Sequence, residues 1–309
     1  MQRAYVTALY DIIKQDKNVI SCLSDSGTDY DELITREFPN QVVNFGISEN
    51  NQVAAAAGMA ATGKIPFVYT TSAFIAYRSY EFLRDDICLQ NRNVKLIGMG
   101  TGVSWSTLGA THHTTEDIAL LRSLPNLTII CPATPIELQK AVKAAYGHCG
   151  PVYIRMGMSG EKELFDDSYQ FKLGKNVIIQ DGDDLTVFAT GSIISEVIEA
   201  AELLKTEGIS TRIINVHTLK PIDNSVIDEC LKQNLIISVE EHNTIGGLGT
   251  AIADVVAENS LKNRLIKLGL NDVFAKGFGV KEDVIKSNNL DAQSIYQRIR
   301  MLYKNDDSL

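Results

Sequence analysis

Cysteine is scarce and unpatterned in this chain of 309 residues: Cys22, Cys88, Cys131, Cys149 and Cys230 are odd in number, widely spaced and free of any C-x-x-C pair. That excludes a disulfide framework and a Cys-type zinc site, and it fits small buried thiols in a reducing compartment, so a cytoplasmic location is expected. The five histidines, His112, His113, His148, His217 and His242, lack metal-ligand spacing, and no metal site built by the protein alone is expected. Positive charge is also short. With 29 Lys and Arg against 38 Asp and Glu the net charge is -9, which argues against nucleic acid or an anionic membrane as partner. No apolar run is long enough to span a bilayer, and the N-terminal segment, broken by Asp11, Lys14, Asp16 and Lys17, reads as a helix rather than a signal peptide.

What is present is a regular alternation of short apolar runs with longer helical patterns, the signature of parallel sheets covered by helices. Strands are predicted at Val19–Cys22, Val42–Phe45, Phe67–Thr70, Val94–Met99, Leu127–Cys131 and Val152–Arg155, with helices at Arg3–Asp16, Tyr30–Glu37, Asn50–Thr62, Ser79–Gln90, Thr115–Ser123 and Pro135–Tyr146. The pattern breaks after Arg155 into a polar linker from Gly157 to Asp184, with at most a strand at Asn176–Ile179. A second series follows: strands at Leu185–Ala189, Ser210–Asn215, Leu235–Val239 and Arg264–Leu268, and helices at Ser195–Glu207, Asn224–Lys232, Gly249–Glu258, Lys281–Lys286 and Ala292–Lys304. The expectation is an α/β protein of two doubly wound domains with mainly parallel sheets, residues 1–168 and 169–309.

One carboxylate stands out. In Asn44-Phe45-Gly46-Ile47-Ser48-Glu49-Asn50 it lies between a strand-like approach and a run of small residues from Ala54 to Gly63. A glutamate at a helix start is explained by the exposed N–H groups and dipole there. Small residues on the same helix also let another backbone come close, as at a tight domain or subunit seam. Glu49 is then a candidate acid or base lining a cleft.

Three other clusters carry polar or aromatic groups after strands, where open parallel sheets bind ligands. Phe74, Tyr77 and Tyr80 could stack on a flat ligand, although their helical spacing favours a core. The long Gly-rich segment from Gly98 to His113 is the kind of loop that carries function, and a histidine there can move protons near neutral pH. The stretch from Val239 to Gly249 looks like a phosphate loop, but its spacing fits neither G-x-G-x-x-G nor the P-loop, and a tight strand-to-helix turn is the better reading.

Taken in order, Gly46-Ile47-Ser48-Glu49-Asn50-Asn51, Tyr80-Glu81-Phe82-Leu83-Arg84, Ala110-Thr111-His112, Gly150-Pro151-Val152-Tyr153-Ile154-Arg155, Thr218-Leu219-Lys220-Pro221-Ile222-Asp223 and Val239-Glu240-Glu241-His242 through Gly249 resemble the C-terminal half of transketolases. The resemblance covers nearly the whole chain. It implies a pyrimidine-binding domain over 1–168 and a transketolase C-terminal domain over 169–309, with thiamine diphosphate as cofactor. The family's diphosphate domain is missing, since the only G-D-G-like element is Asp181-Gly182-Asp183 inside the linker. The chain therefore resembles the second subunit of a split transketolase, inactive alone. It would work with a separate diphosphate-binding subunit that holds most of the Mg2+ contacts, in an α2β2 heterotetramer acting on sugars or sugar phosphates.

By the same resemblance Glu49 hydrogen-bonds the cofactor's aminopyrimidine and promotes the tautomer that activates it for two-carbon ketol transfer. Phe74 is implied as the aromatic beneath the pyrimidine, with Ile75 or Tyr77 as alternatives, Arg78 as polar neighbour and Asp25 as a further cofactor contact. His112 and His113 are implied as substrate contacts, His112 with a catalytic role, and Arg155 as the ligand of a terminal phosphate. Departures from the pattern are Leu108 where an acid is usual, Gly100 where many members have histidine, His113 in place of glutamine and Met158 in place of a second arginine. They point to a substrate other than the standard pentose phosphates, a modified sugar or sugar derivative. Rival readings are a deoxyxylulose-phosphate synthase-like chain, a beta chain of the 2-oxo-acid dehydrogenase type, a non-catalytic partner chain and a nucleotide-binding module.

Overall fold

The computed structural model describes residues 1–25, 31–158 and 161–306. Tyr30, expected to open a helix, and Ser159–Gly160 of the expected linker lie outside the described residues. By contact the chain divides into two compact units, one of 1–101 with 120–173 and one of 102–119 with 174–309.

The first unit contains α1 (Gln2–Ile13), β1 (Val19–Leu23), α2 (Asp31–Glu37), β2 (Val42–Asn44), α3 (Glu49–Ala61), β3 (Ile65–Thr71), the short α4 (Tyr80–Phe82) and β4 (Lys95–Met99). After α5 (Asp117–Arg122), within which the division falls, come β5 (Thr128–Ile130), α6 (Pro135–Gly147) and β6 (Val152–Met156). These strands pair in the order β5-β6-β4-β3-β1-β2, all parallel. The strands were legible as apolar runs because a parallel sheet is covered on both faces, and β1, β4 and β6 are buried along their whole length. Tyr5 of α1 stacks on Tyr69 of β3 with ring centroids 5.0 Å apart. At the amino edge of the sheet Lys95, fully buried, donates to Asn93 Oδ1, His148 O and Gly150 O at 2.6 to 2.8 Å, which ties the start of β4 to the turn before β6.

The expected helix over Ser79–Gln90 is not a plain α-helix. Phe74–Arg78 and Leu83–Cys88 are π-helical turns on either side of α4. The wider turn changes which side chains face inward: Ile75 and Ala76 are buried, while Phe74, Tyr77 and Tyr80 are half-buried. Such turns recur where a helix must present side chains to a site.

The second unit contains β7 (Val177–Gln180), β8 (Leu185–Thr190), α7 (Ile194–Thr206), β9 (Thr211–Asn215), β10 (Thr218–Lys220), α8 (Ser225–Lys232), β11 (Leu235–Asn243), α9 (Leu248–Glu258), β12 (Arg264–Leu270), α10 (Lys281–Ser287) and α11 (Ala292–Asp306). Its five-stranded sheet runs β12-β11-β8-β9-β7, parallel except that β7 is antiparallel to β9. β10 had no counterpart in the strand pattern, because Thr218-Leu219-Lys220 holds a single apolar residue between two polar ones. β11 runs four residues past the predicted Val239, so Glu240, Glu241 and His242 belong to a strand.

Candidate functional site

The first sheet changes direction between β1 and β3, since β2 lies on one side of that pair and β4 and β6 on the other. The crevice at the carboxyl ends of such strands is where open α/β sheets bind ligands. α3 is moored there from below: Gln52 Nε2 donates to Cys22 O of β1 at 2.7 Å and to Tyr69 O of β3 at 3.3 Å. Val53, Ala56 and Ala57 face the sheet, at the spacing of one helix face. The opposite flank is only partly covered by the described residues. Gly58 and Ala61 are exposed, Ala54 and Ala55 half-buried, and a Cβ on Gly58 would meet nothing within 4 Å.

Glu49 is the first residue of α3 and is 2% exposed. Its Oε2 accepts a 2.7 Å hydrogen bond from Arg78 Nη1, whereas Oε1 carries no hydrogen bond among the described residues. A buried carboxylate is tolerated when paired, and Arg78, half exposed, supplies that pair from the π-helical turn. The guanidinium also lies over the Phe74 ring, 4.5 Å from its centroid. Ser79 Oγ donates to Asn50 Oδ1 at 3.1 Å, locking the turn to the start of α3. Gln52, Ser79 and Asn50 were not singled out from the sequence, and as isolated polar residues in helical segments they gave no signal.

Of the other candidates in this unit, Asp25 is exposed just beyond β1, in a left-handed conformation of φ 55°, and its N–H donates to Asn44 Oδ1 at 3.0 Å. Ile75 is fully buried. Arg155 is buried near the carboxyl end of β6, two residues beyond Tyr153 and beside Gly98 of β4.

His112 and His113 lie in the second unit, in a loop closed by mutual hydrogen bonds between Gly102 and Thr114. His112 Nδ1 is 3.0 Å from Thr111 Oγ1, and the ring stands edge-on to Trp105 at 6.2 Å. His113 is buried, and burial pushes its pKa down, so the ring is neutral at pH 7. Four buried polar atoms of this loop have no hydrogen-bond partner among the described residues: Ser104 Oγ, Trp105 Nε1 and both ring nitrogens of His113. Each such atom costs roughly 1–3 kcal/mol while unpaired. Ser104 and Trp105 were missed from sequence. The available signal was the only tryptophan of the chain standing in a polar, Gly-rich loop.

The second sheet changes direction between β8 and β11, and its carboxyl edge is already filled. Glu241 Oε1 accepts from Val103 N at 2.7 Å, and Oε2 takes Ser192 Oγ at 3.2 Å and Lys281 Nζ at 3.4 Å. Gly102, at φ 63°, must be glycine, because a Cβ there would run into that carboxylate. Glu240 accepts from Leu248 N and Gly249 N at 2.7 and 2.9 Å, occupying the N-terminus of α9 where a phosphate would sit in a nucleotide-binding loop. Gly247 has no room for a Cβ beside Glu240. Among the described residues no group of three His, Cys, Asp or Glu is placed to hold a metal ion, and no helix is long and apolar enough to cross a membrane.

Comparison with known proteins agrees in extent as well as kind. The transketolase pyrimidine-binding domain family matches residues 1–159, and the transketolase C-terminal domain family matches residues 174–295. A Methanocaldococcus jannaschii protein named as a putative transketolase C-terminal section is 35% identical, covering 97% of this chain and 95% of that protein. One of the subunits of the apulose-4-phosphate transketolase of Actinobacillus succinogenes is 34% identical over 84% of each chain. A solved structure described as a split gene transketolase, an inactive beta4 tetramer, is 33% identical, covers 98% of both chains and superposes with a TM-score of 0.90. With both domain families matched in order and relatives of its own length, the chain belongs to the transketolase family, as a subunit that comprises the pyrimidine-binding and C-terminal domains.

Proposed function

We propose that this chain supplies the pyrimidine-binding half of a thiamine diphosphate-dependent ketol transferase and works with a separate diphosphate-binding subunit that holds the Mg2+, two of each chain forming the enzyme. The observation that carries this is Glu49: a buried carboxylate at a sheet switch point, paired through one oxygen and, among the described residues, open at the other. A ring nitrogen of an aminopyrimidine fits that open oxygen, and the half-buried face of Phe74 beside it fits the ring. When bound, the cofactor supplies the nucleophilic carbon and the electron sink for moving a two-carbon ketol unit from a ketose to an aldose.

The chain's own residues would bind and orient. Glu49 holds a proton at Oε1 toward the pyrimidine nitrogen, while Arg78 fixes the carboxyl group through Oε2 and Phe74 sets the ring plane. Tyr77 and Asp25 are further cofactor contacts. His112 and His113 would meet the substrate's carbonyl and hydroxyl groups, and Arg155 an anionic terminus, by bidentate contacts of the kind guanidinium makes with phosphate. The partly covered flank of α3, the exposed Ile47 (77%) and the exposed Leu89 (74%) are apolar surface available to a second chain. The beta4 assembly of the solved relative, described as inactive, supports the expectation that the chain alone does not turn over substrate.

The test is reconstitution with the candidate diphosphate-binding subunit. Thiamine diphosphate and Mg2+ should yield ketol transfer only when both chains are present. Ketol transfer by this chain alone, or pyruvate consumption by the pair, would refute the reading.

A further inference from the structure

Loop 102–114 contains no lysine, arginine, aspartate or glutamate, yet it carries four buried polar atoms, of Ser104, Trp105 and His113, that have no partner among the described residues. Buried polar groups are ordinarily satisfied, and four orphans within ten residues of one closed loop mark a place that something else completes. The loop is pinned at both ends. Gly102 and Thr114 bond each other, Val103 N donates to Glu241, and Ser106 Oγ donates to Gly279 O at 2.8 Å, so the orphans are not the by-product of an unattached segment. Trp105 stands edge-on to His112, which places its indole N–H in the same loop as the residue assigned to the substrate.

The donor set defines what it can hold. Indole Nε1–H only donates, a serine hydroxyl donates and accepts, and a neutral imidazole offers one donor and one acceptor. Such a set matches hydroxyl and carbonyl oxygens. It has no charge to offer a phosphate, and anion recognition would need cations or a helix N-terminus. Leu108, half exposed in the same loop, adds no acid to replace them.

Resting on the reading of this chain as a transketolase subunit, we propose that Ser104, Trp105 and His113 form a specificity element that binds the uncharged hydroxyl-bearing part of the sugar, with Trp105 Nε1 as the donor that selects for a hydroxyl. The element recognises a polyol stretch by neutral hydrogen bonds. A charged terminus, where present, is left to other residues.

Trp105 is the only tryptophan of the chain, so its fluorescence reports on this loop directly. The full chain, alone and with its partner subunit, is titrated with D-arabinitol and with inorganic phosphate. Trp105→Phe, which keeps an aromatic ring and removes the N–H, serves as the blank. A saturable change with arabinitol and none with phosphate is expected. No saturable change with arabinitol, or an equal change with phosphate, overturns the proposal whether or not the pair is active. Where the pair transfers ketol units, Trp105→Phe should raise KM for D-erythrose about tenfold relative to glycolaldehyde, with kcat nearly unchanged. A loss shared equally by both acceptors would mark mere packing and sink the idea. Failure of the wild-type pair to transfer ketol units with any donor would instead refute the functional reading, and the fluorescence result would still decide the role of the loop.

Discussion

The two sheets of this chain place glutamates at equivalent positions, the carboxyl edge where strand order reverses, and use them in opposite ways. In the second unit Glu240 and Glu241 are fully engaged: one closes the N-terminus of α9, the other ties together Val103, Ser192 and Lys281. In the first unit Glu49 is as deeply buried but, among the described residues, bonded on one side only. A saturated carboxylate is cement. An unsaturated one, held by a half-exposed arginine, leaves an oxygen that a ligand could take, and the proposal of a site in the first crevice rests on that physical difference.

The comparison breaks most readily at Glu49. Glu49→Gln retains a hydrogen-bonding side chain of the same size, so melting should move little while ketol transfer by the reconstituted pair falls roughly a hundredfold to ten-thousandfold. Unaltered activity would make the chain a non-catalytic partner. Next in size is Glu240→Ala, expected to cost about 3 kcal/mol in denaturant unfolding by stranding two buried N–H groups at the head of α9. If Glu240→Ala instead abolished turnover without loss of stability, the second crevice would be a site after all.

Acid should weaken the second unit selectively. Burial holds the His217 pKa at about 4, against 6.5 ordinarily. With the folded value depressed, the unfolded chain takes up the proton first as pH falls, so stability is full above pH 6.5 and declines between there and about pH 4. The loss from this group approaches roughly 3 kcal/mol at the acid end. Urea unfolding followed across that range should show the decline, and His217→Gln should flatten it. The smallest effect is expected from Arg78→Met, which removes the half-exposed partner of Glu49 and leaves Phe74. The thiamine diphosphate concentration for half-maximal activity should rise by about an order of magnitude or less, with a loss of about 1 kcal/mol in unfolding because Glu49 loses the partner that makes its burial tolerable.

Most of this architecture was legible because parallel strands write themselves as apolar runs, and because Glu49 opens a helix whose small residues announce a close approach. What stayed hidden has a common cause. The π-helical turns at Phe74–Arg78 and Leu83–Cys88 break the 3.6-residue period that sequence reading relies on, so the aromatics there read as a core stripe. The membership of 102–119 in the second unit follows from contacts more than a hundred residues apart, such as Val103 with Glu241. The roles of Glu240 and Gly247 likewise depend on a carboxylate folding forward onto the next helix, and spacing alone could only exclude the phosphate-loop patterns. For Trp105 and Ser104 the sequence offers only a lone tryptophan in a Gly-rich loop, because a missing hydrogen bond leaves no trace of its own.

The turn between α6 and β6, fixed by the ammonium of Lys95, carries one more consequence. Four of the five cysteines are buried, and Cys149, inside that turn, is exposed. A maleimide dye should therefore enter this chain at a single position without prior mutagenesis. That position is at the amino edge of the first sheet, the end opposite Glu49. The native sequence thus comes with its own attachment point for watching two chains find each other by energy transfer.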